Sequence, residues 1–392
     1  MLILTINSGS SSVKFALYRM GAGEILVLHG QLDRIGVTGG IFQARDPGGG
    51  RLLDQILDLP DHDAAFKTLL DWLQGQGLGK DLQAIGHRLV HGGAAHLTPA
   101  LLTAAVLADL EKLTPLAPDH LPQEIQAIRV LQRLFPGLPQ VACFDTAFHR
   151  RMPEVAQRFA LPGEYVRAGV MRYGFHGLSY EYLLQELARE AGAAVAQGRV
   201  IMAHLGNGAS MAALHQGKSR DTTMGMTPTG GLVMSTRSGD LDPGVILYLL
   251  QEQGLSSGQI NDLLNRRAGL LGVSGISADM QDLLAQEGRR PQAAQAVALF
   301  CYQARKFLGA LTAALGGLDT LVFTGGIGEN SSVIRERICG NLGFLGISLD
   351  ADRNRASAPI ISAEAGRVTV RVMRTNEELM IARHTRDTLL SP

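Results

Sequence analysis

Residues 224–244 read MGMTPTGGLVMSTRSGDLDPG, and a single cation, Arg237, stands there among Gly, Ser and Thr. Gly, Thr and Pro mark the stretch as a loop. Asp242 followed by Pro243 is a good helix start, Asp as N-cap and Pro at the first helical position. The apolar run 245–250 then supplies the helix body. An arginine on a loop just before a helix, beside residues too small to cover it, can offer a two-pronged fork to an oxyanion. A lone arginine is more commonly a solvated surface group. The loop composition and the rest of the chain argue for the oxyanion.

Other residues with chemistry to offer are spread along the sequence. Residues 84–93, AIGHRLVHGG, read as a strand closed by paired glycines. Alternation puts Arg88 and Val90 on one face and His87, Leu89 and His91 on the other. Asp145 follows the apolar strand 139–144, at the end where α/β folds set functional groups; structural caps use that position as often. His176 lies between glycines in YGFHG. Three small-residue turns can cradle an anion: NSGSSS at 7–12 with Lys14 beyond it, LGNGAS at 205–210, and TGGIGEN at 324–330 between a strand and a helix. The last has neither the G-x-x-x-x-G-K-[ST] spacing nor G-x-G-x-x-G. Near the C-terminus, Thr375 stands three residues before Glu378 as in a capping box, so the plain reading of Glu377 and Glu378 is helix capping.

These groups need a framework. Residues 2–6 and 13–18 read as a β-hairpin, 24–35 as further strand and 36–50 as a glycine-rich loop. Helices are expected at 64–73 (after Asp61 and Asp63), 100–113, 122–134, 179–190, 280–286, 293–315 and 332–339. Strands are expected at 200–204, 211–214, 320–323 and 367–374. The strand, Asn/Gly/Ser turn and strand at 200–214 echo the opening hairpin, which points to an internal duplication. The irregular run 150–169 carries the boundary, giving one domain over 1–149, joined by the C-terminal helix at about 378–392, and a second over 150–377.

At 392 residues two domains are the default. Lys plus Arg (36) balance Asp plus Glu (36), so charge gives no argument for nucleic acid or an anionic membrane as partner. No apolar run approaches membrane-spanning length, and MLILTINSG lacks the features of a signal peptide. The three cysteines have no metal-ligand spacing and cannot all pair, so a reducing, cytoplasmic setting is expected. Taken together, the anion turns, loop arginines and glycine-flanked or strand-end His and Asp residues favour a nucleotide-dependent phosphoryl transferase of α/β class.

NSGSSSVKF, GHRLVHGG, FDTAFH, YGFHG, HLGNGAS, STRSGDLDPG, FTGGIGENS and TNEEL resemble the signature blocks of the acetate kinase family, in that family's order and over nearly the whole chain. The family stands with sugar kinases, actin and the heat-shock chaperone ATPases. The resemblance implies two duplicated ribonuclease H-like (actin-like ATPase) domains flanking a central cleft, a homodimer, ATP as co-substrate, and Mg2+ or Mn2+. The reaction implied is reversible transfer of the ATP γ-phosphoryl to a carboxylate. An acid with a pKa near ~4–5 is already ionised at neutral pH and needs no general base. Catalysis then rests on positioning and on neutralising charge at the transferring group.

Residue by residue, the resemblance implies that Arg88 and Arg237 contact the carboxylate and the transferring phosphoryl. It gives His176 a hydrogen bond to that phosphoryl with His120 nearby, and Asp145 the arginines or the metal shell to position. Asn7 and Glu377 match the magnesium positions, and Ser10, Ser12 and Lys14 the phosphate turn. His204, Leu205, Gly206, Asn207, Gly208, Asp279, Met280, Gln281, Gly326, Ile327, Gly328, Glu329 and Asn330 match the nucleotide site. Val90, Phe175 and Pro228 match the pocket around the acyl methyl. The sequence departs from the family at Asp119, where an apolar residue is usual, at Gln281, where Arg is usual, and at 227–232; the first bears on acyl preference and the second on the nucleotide. The alternatives are a kinase for propionate or butyrate and an ATPase of the actin or chaperone kind.

Overall fold

The structure, a computed structural model, describes residues 1–391. The chain divides into two compact units, and the first comprises Met1–Ala147, Gly177–Tyr182 and the C-terminal segment from Asn376. Its eight strands are β1 (Leu2–Ser8), β2 (Ser12–Met20), β3 (Glu24–Asp33), β4 (Gly40–Arg45), β5 (Arg51–Leu57), β6 (Ala84–Leu89), β7 (Ala100–Leu101) and β8 (Gln140–Phe144). They lie in the order β5-β4-β3-β2-β1-β6-β8-β7. β1 to β5 form an antiparallel meander, and β6 and β8 run parallel to β1.

β1 reads as a nearly continuous apolar run because both its faces are covered. Leu2, Leu4 and Ile6 enter a core with Phe66, Leu69 and Leu73 of the His62–Gly75 helix and Val130 and Leu131 of the Leu121–Leu134 helix. Ile3 faces the other way, toward Ala382 of the Glu377–Leu390 helix. That last helix sits tight on the sheet because β6 carries Gly86. A Cβ there would come within 2.2 Å of Thr385 Oγ1 and 2.5 Å of Ile381 Cγ2. The face that bears Gly86 also bears Arg88, two residues on.

The second unit comprises Phe148–His176 and Leu183–Thr375. Its sheet is built from β9 (Val200–Leu205), β10 (Ala209–His215), β11 (Lys218–Thr222), β12 (Thr320–Thr324) and β13 (Thr369–Val372), ordered β11-β10-β9-β12-β13. The duplication read from the turns is visible in this order. β11-β10-β9 is an antiparallel meander followed by two parallel strands, as β3-β2-β1 is followed by β6 and β8. The Pro291–Leu315 helix packs on β9, β10 and β11. Among the described residues no helix is long and apolar enough to cross a membrane.

Several expectations are corrected. Residues 36–50 are not all loop: Gly40–Arg45 is β4, followed by β5, an exposed edge strand whose charged Arg51 and Asp54 mask its alternation. The helix expected from 100 begins at Ala104, capped by Thr103, while Ala100–Leu101 pair with β8. The turn at 325–330 is a short helix. The capping box at Thr375 does not form. Asn376 caps the last helix, accepting from Leu379 N at 2.9 Å, and Thr375 Oγ1 is buried without a hydrogen-bond partner. Gly177–Tyr182 belongs with the first unit, where Leu178 packs against Val141, Cys143, Met380 and Ile381.

Candidate active site

In the first unit the site is organised by Arg88. Its Nε donates to Asp145 Oδ1 at 3.0 Å and its Nη2 to Asp145 Oδ2 at 2.6 Å, a two-pronged pair. Its Nη1 donates to Asn7 Oδ1 at 3.2 Å, and Glu377 Oε2 lies 3.8 Å from Nε. Three chain segments make this possible. Asn7 ends β1, Arg88 lies on the adjacent β6, and Asp145 follows β8 on the other side, its N–H donating to Leu89 O at 2.9 Å. Glu377 arrives on the last helix, which Gly86 lets approach. Asp145 is 1% exposed in its side chain and Arg88 19%, so the pair works largely out of water. Burial disfavours the Arg88 charge, but Asp145 and Glu377 raise its pKa well above the ordinary value. Burial also raises the Glu377 pKa; Arg88 pulls it back, and Asp145 adds to the rise.

Ser10 is exposed and Ser12 half-buried on the turn between β1 and β2, with Gly9 N donating to Ser12 O at 2.7 Å; Lys14 is exposed on β2, opposite Asn7. His120 is the N-cap residue of the Leu121–Leu134 helix. Val90 is the first residue beyond β6 and is buried.

In the second unit the site is organised by His176. This residue adopts a left-handed backbone, φ 58°, as N-cap of the Gly177–Ala191 helix. Such strain in a residue other than glycine is concentrated at functional positions. Its Nδ1 lies 2.8 Å from the buried Ser210 Oγ, and its ring stacks on His204 at 4.2 Å between centroids and 12° between planes. A neutral imidazole that accepts from Ser210 at Nδ1 carries its proton on Nε2. That edge is turned toward Gly208. A Cβ on Gly208 would meet His176 Nε2 at 3.3 Å and Arg237 Nη1 at 3.5 Å, so the missing side chain leaves room where the two donors converge.

Arg237 is half-buried, not fully solvated, and its Nη1 donates to Pro228 O at 3.2 Å. Its loop is fixed by Met234 N to Arg237 O (3.1 Å), Ser235 N to Asn207 O (3.1 Å) and Leu270 N to Met234 O (2.8 Å). Gly269, at φ 61°, permits the last of these: a Cβ there would lie 2.2 Å from Met234 O. Phe175 and Pro228 are both buried. The turn of His204–Gly208 closes through Gly206 N to Gly208 O at 3.1 Å, and a Cβ on Gly206 would lie 3.9 Å from Gly326 N.

Within the Gly325–Asn330 helix, Glu329 Oε1 accepts from Gly325 N at 2.9 Å, and Asn330 Nδ2 donates to Gly326 O at 2.9 Å. Ile327 and Gly328 lie between them. Asp279 spends one carboxylate oxygen on capping the Met280–Gln286 helix, accepting from Gln281 N at 2.7 Å and Asp282 N at 3.2 Å; Met280 is buried and Gln281 exposed.

Three participants went unassigned in the sequence reading. Ser210 lay inside a quoted motif but had no role. Glu124 is 3% exposed, and both its oxygens accept from Val90 N, at 3.1 and 3.3 Å. Arg335 is fully buried and donates to neutral acceptors: Asn354 Oδ1 and O, Gly328 O, Glu329 O and Ser357 Oγ, at 2.7 to 2.9 Å. It thereby holds the C-terminal carbonyls of the Gly325–Asn330 helix. For Glu124 and Arg335 the one available signal is a charge on an apolar helical stripe, Glu124 beside Leu121, Ile125 and Ile128 and Arg335 beside Ile334 and Ile338.

The sequence model of the acetokinase family matches residues 2–383. An acetate kinase of Rhodopseudomonas palustris is 48% identical over 98% of this chain and 97% of its own. The crystal structure of Porphyromonas gingivalis acetate kinase superimposes with a TM-score of 0.88 at 39% identity, covering 99% of each chain. That of a propionate kinase from Francisella tularensis superimposes with a TM-score of 0.93 at 37% identity, covering 98% of this chain and 99% of that one.

Proposed function

The chain belongs to the acetokinase family, and from that premise we propose how its residues act: it is an ATP-dependent kinase of acetate, transferring the γ-phosphoryl reversibly to the carboxylate. The observation that carries the mechanism is the Arg88 guanidinium, fixed from two sides by Asp145 and Asn7 with Glu377 beside it. A fork held this way recognises an anion without first losing side-chain freedom. Arg88 binds the acid and, with Arg237, neutralises charge that builds on the transferring group. His176 donates from Nε2 to the same group. Both effects act in the transition state, where preorganised donors count most. Val90 in the first unit and Phe175 and Pro228 in the second are assigned to the apolar end of the acid, and His120 to its carboxylate. Ser10, Ser12 and Lys14 meet the phosphates. The turn His204–Gly208, with Asp279–Gln281 and Gly326–Asn330, takes the rest of the nucleotide.

Asn7 and Glu377 would hold a magnesium ion. The donor set fits one: an amide oxygen and a carboxylate are the hard oxygen ligands of an ion that keeps several waters and binds mainly through substrate phosphates. Bound there, the ion would offset negative charge on the nucleotide's phosphates.

A second copy of the chain is the proposed partner. Leu241, Val245, Leu247, Tyr248 and Leu250, on and just before the Pro243–Gln251 helix, are 40 to 53% exposed, a concentration of apolar surface that suits a subunit interface. Cys143, Cys301 and Cys339 are free and buried, with thiol pKa values raised by burial, which suits the reducing cytoplasm.

The similarity to a propionate kinase structure keeps propionate as the second reading. Trapping the acyl phosphate as its hydroxamate with acetate, propionate and butyrate in parallel decides between them. Acetate should give the highest kcat/KM; a preference for the longer acids would reassign the substrate.

A further inference from the structure

Glu124 lies in the first turn of the Leu121–Leu134 helix, where a carboxylate ordinarily serves the helix itself. Here it does not cap that helix. Both its oxygens accept from the N–H of Val90, 34 residues earlier, at 3.1 and 3.3 Å. Val90 is the residue just past β6, two beyond Arg88, and is 5% exposed. On one side the segment after Arg88 is anchored to the end of β8, by Asp145 N to Leu89 O at 2.9 Å and by Gly92 N to Thr146 Oγ1 at 3.1 Å. On the other side Glu124 ties it to the helix, and the backbone N–H of Glu124 in turn donates to His120 O at 3.1 Å. One buried side chain thus links the backbone of Val90 to the helical turn that begins at His120. It also lies in the field of Arg88 and Asp145.

We propose that Glu124 is a positioning residue for the carboxylic-acid substrate, setting the place of Val90 relative to Arg88 and to His120. The inference rests on the functional reading above and adds to it the element that fixes the acid end of the site. Burial pushes the Glu124 carboxyl up to about 8, against the pull of the Val90 N–H and of Arg88, with Asp145 adding to the rise. The group is therefore largely neutral at neutral pH and leaves the Arg88 charge to Asp145, Glu377 and the substrate. A neutral acceptor of the same shape should then serve nearly as well.

The test compares acid and nucleotide kinetics in Glu124→Ala, Glu124→Gln and Ile125→Ala, the last a buried neighbour on the same helix (4% exposed) that controls for plain loss of stability. Glu124→Ala should raise KM for acetate by roughly 5- to 30-fold, the scale of a lost buried hydrogen bond, with KM for ATP unchanged. Glu124→Gln, which keeps an oxygen for Val90 N, should restore KM for acetate to near wild type. Ile125→Ala should lower the melting temperature without separating the two KM values. Should Glu124→Ala fail to fold, Glu124→Asp, too short to reach Val90, carries the same expectation. An acetate KM that stays at the wild-type value in Glu124→Ala, or rises together with that for ATP, overturns the inference alone. A wild-type enzyme that forms no acyl phosphate from short acids overturns the functional reading and the inference with it.

Discussion

Asp145 accepts two parallel hydrogen bonds from Arg88, Nε to Oδ1 at 3.0 Å and Nη2 to Oδ2 at 2.6 Å, and the carboxylate has almost no contact with water. Breaking one side of such a pair leaves a charge that is poorly solvated. Asp145→Asn keeps the shape but offers one acceptor and no charge. Its kcat/KM for acetate should fall by roughly 10²- to 10³-fold. Arg88→Lys should do no better, because an ammonium cannot span both oxygens. Initial rates against acetate at saturating ATP check this; activity in Asp145→Asn within a few-fold of wild type would mean that the fork needs no fixing.

The His176–Ser210 contact carries a separate prediction. The tautomer in which Ser210 donates to Nδ1 is the one that would present Nε2–H toward Gly208. Ser210→Ala frees the choice of tautomer and the ring orientation, so kcat should fall by roughly 5- to 30-fold, the scale of one buried hydrogen bond. Nucleotide affinity, measured by equilibrium titration, should be little affected. A loss of nucleotide affinity at constant kcat would place the histidine in binding and not in the transfer step.

Magnesium dependence tests Glu377. The side chain stands in the first turn of the last helix, but Asn376 caps that helix and Glu377 faces Arg88. Glu377→Gln should raise the Mg2+ concentration needed for half-maximal rate. A variant that changed only in melting temperature would show the carboxylate to be structural.

How much of this was legible in the sequence depended on the range of the interaction. The hairpin Leu2–Met20 was visible because alternation and a Ser/Gly turn are local, and Arg88 stood out as a charge on an apolar strand. β5 was hidden because it is an edge strand that leaves Ile56 80% exposed, and β4 because the glycines on either side of it read as loop although Phe42 and Ala44 are buried. The capping box failed at Thr375 because the helix begins one residue later, with Asn376 as N-cap accepting from Leu379 N. Glu124 was hidden for another reason: its partner is a backbone N–H, which no side-chain type announces. Ser210 and Arg335 likewise act through contacts that only the fold brings about.

Asp119 is half-buried and stands one residue before His120, the N-cap of the Leu121–Leu134 helix. An anion just ahead of a helix interacts favourably with its N-terminal dipole. Asp119→Leu should therefore cost roughly 0.3–1 kcal/mol of stability while acetate kinetics stay constant. Denaturant unfolding and acetate titrations together check it. A several-fold drop in KM for acetate would instead show that the carboxylate faces the acid and repels it.

The most direct test of the central claim, that the reaction proceeds by charge neutralisation from fixed donors and without a general base, is the turnover of Arg237→Ala with saturating ATP and acetate. Arg237 converges with His176 Nε2 beside Gly208 on a loop that the backbone holds rigidly. Its loss should lower kcat by roughly 10²- to 10⁴-fold while nucleotide binding stays near wild type, and lysine should rescue poorly. Near-normal acetyl phosphate formation by Arg237→Ala would contradict the account.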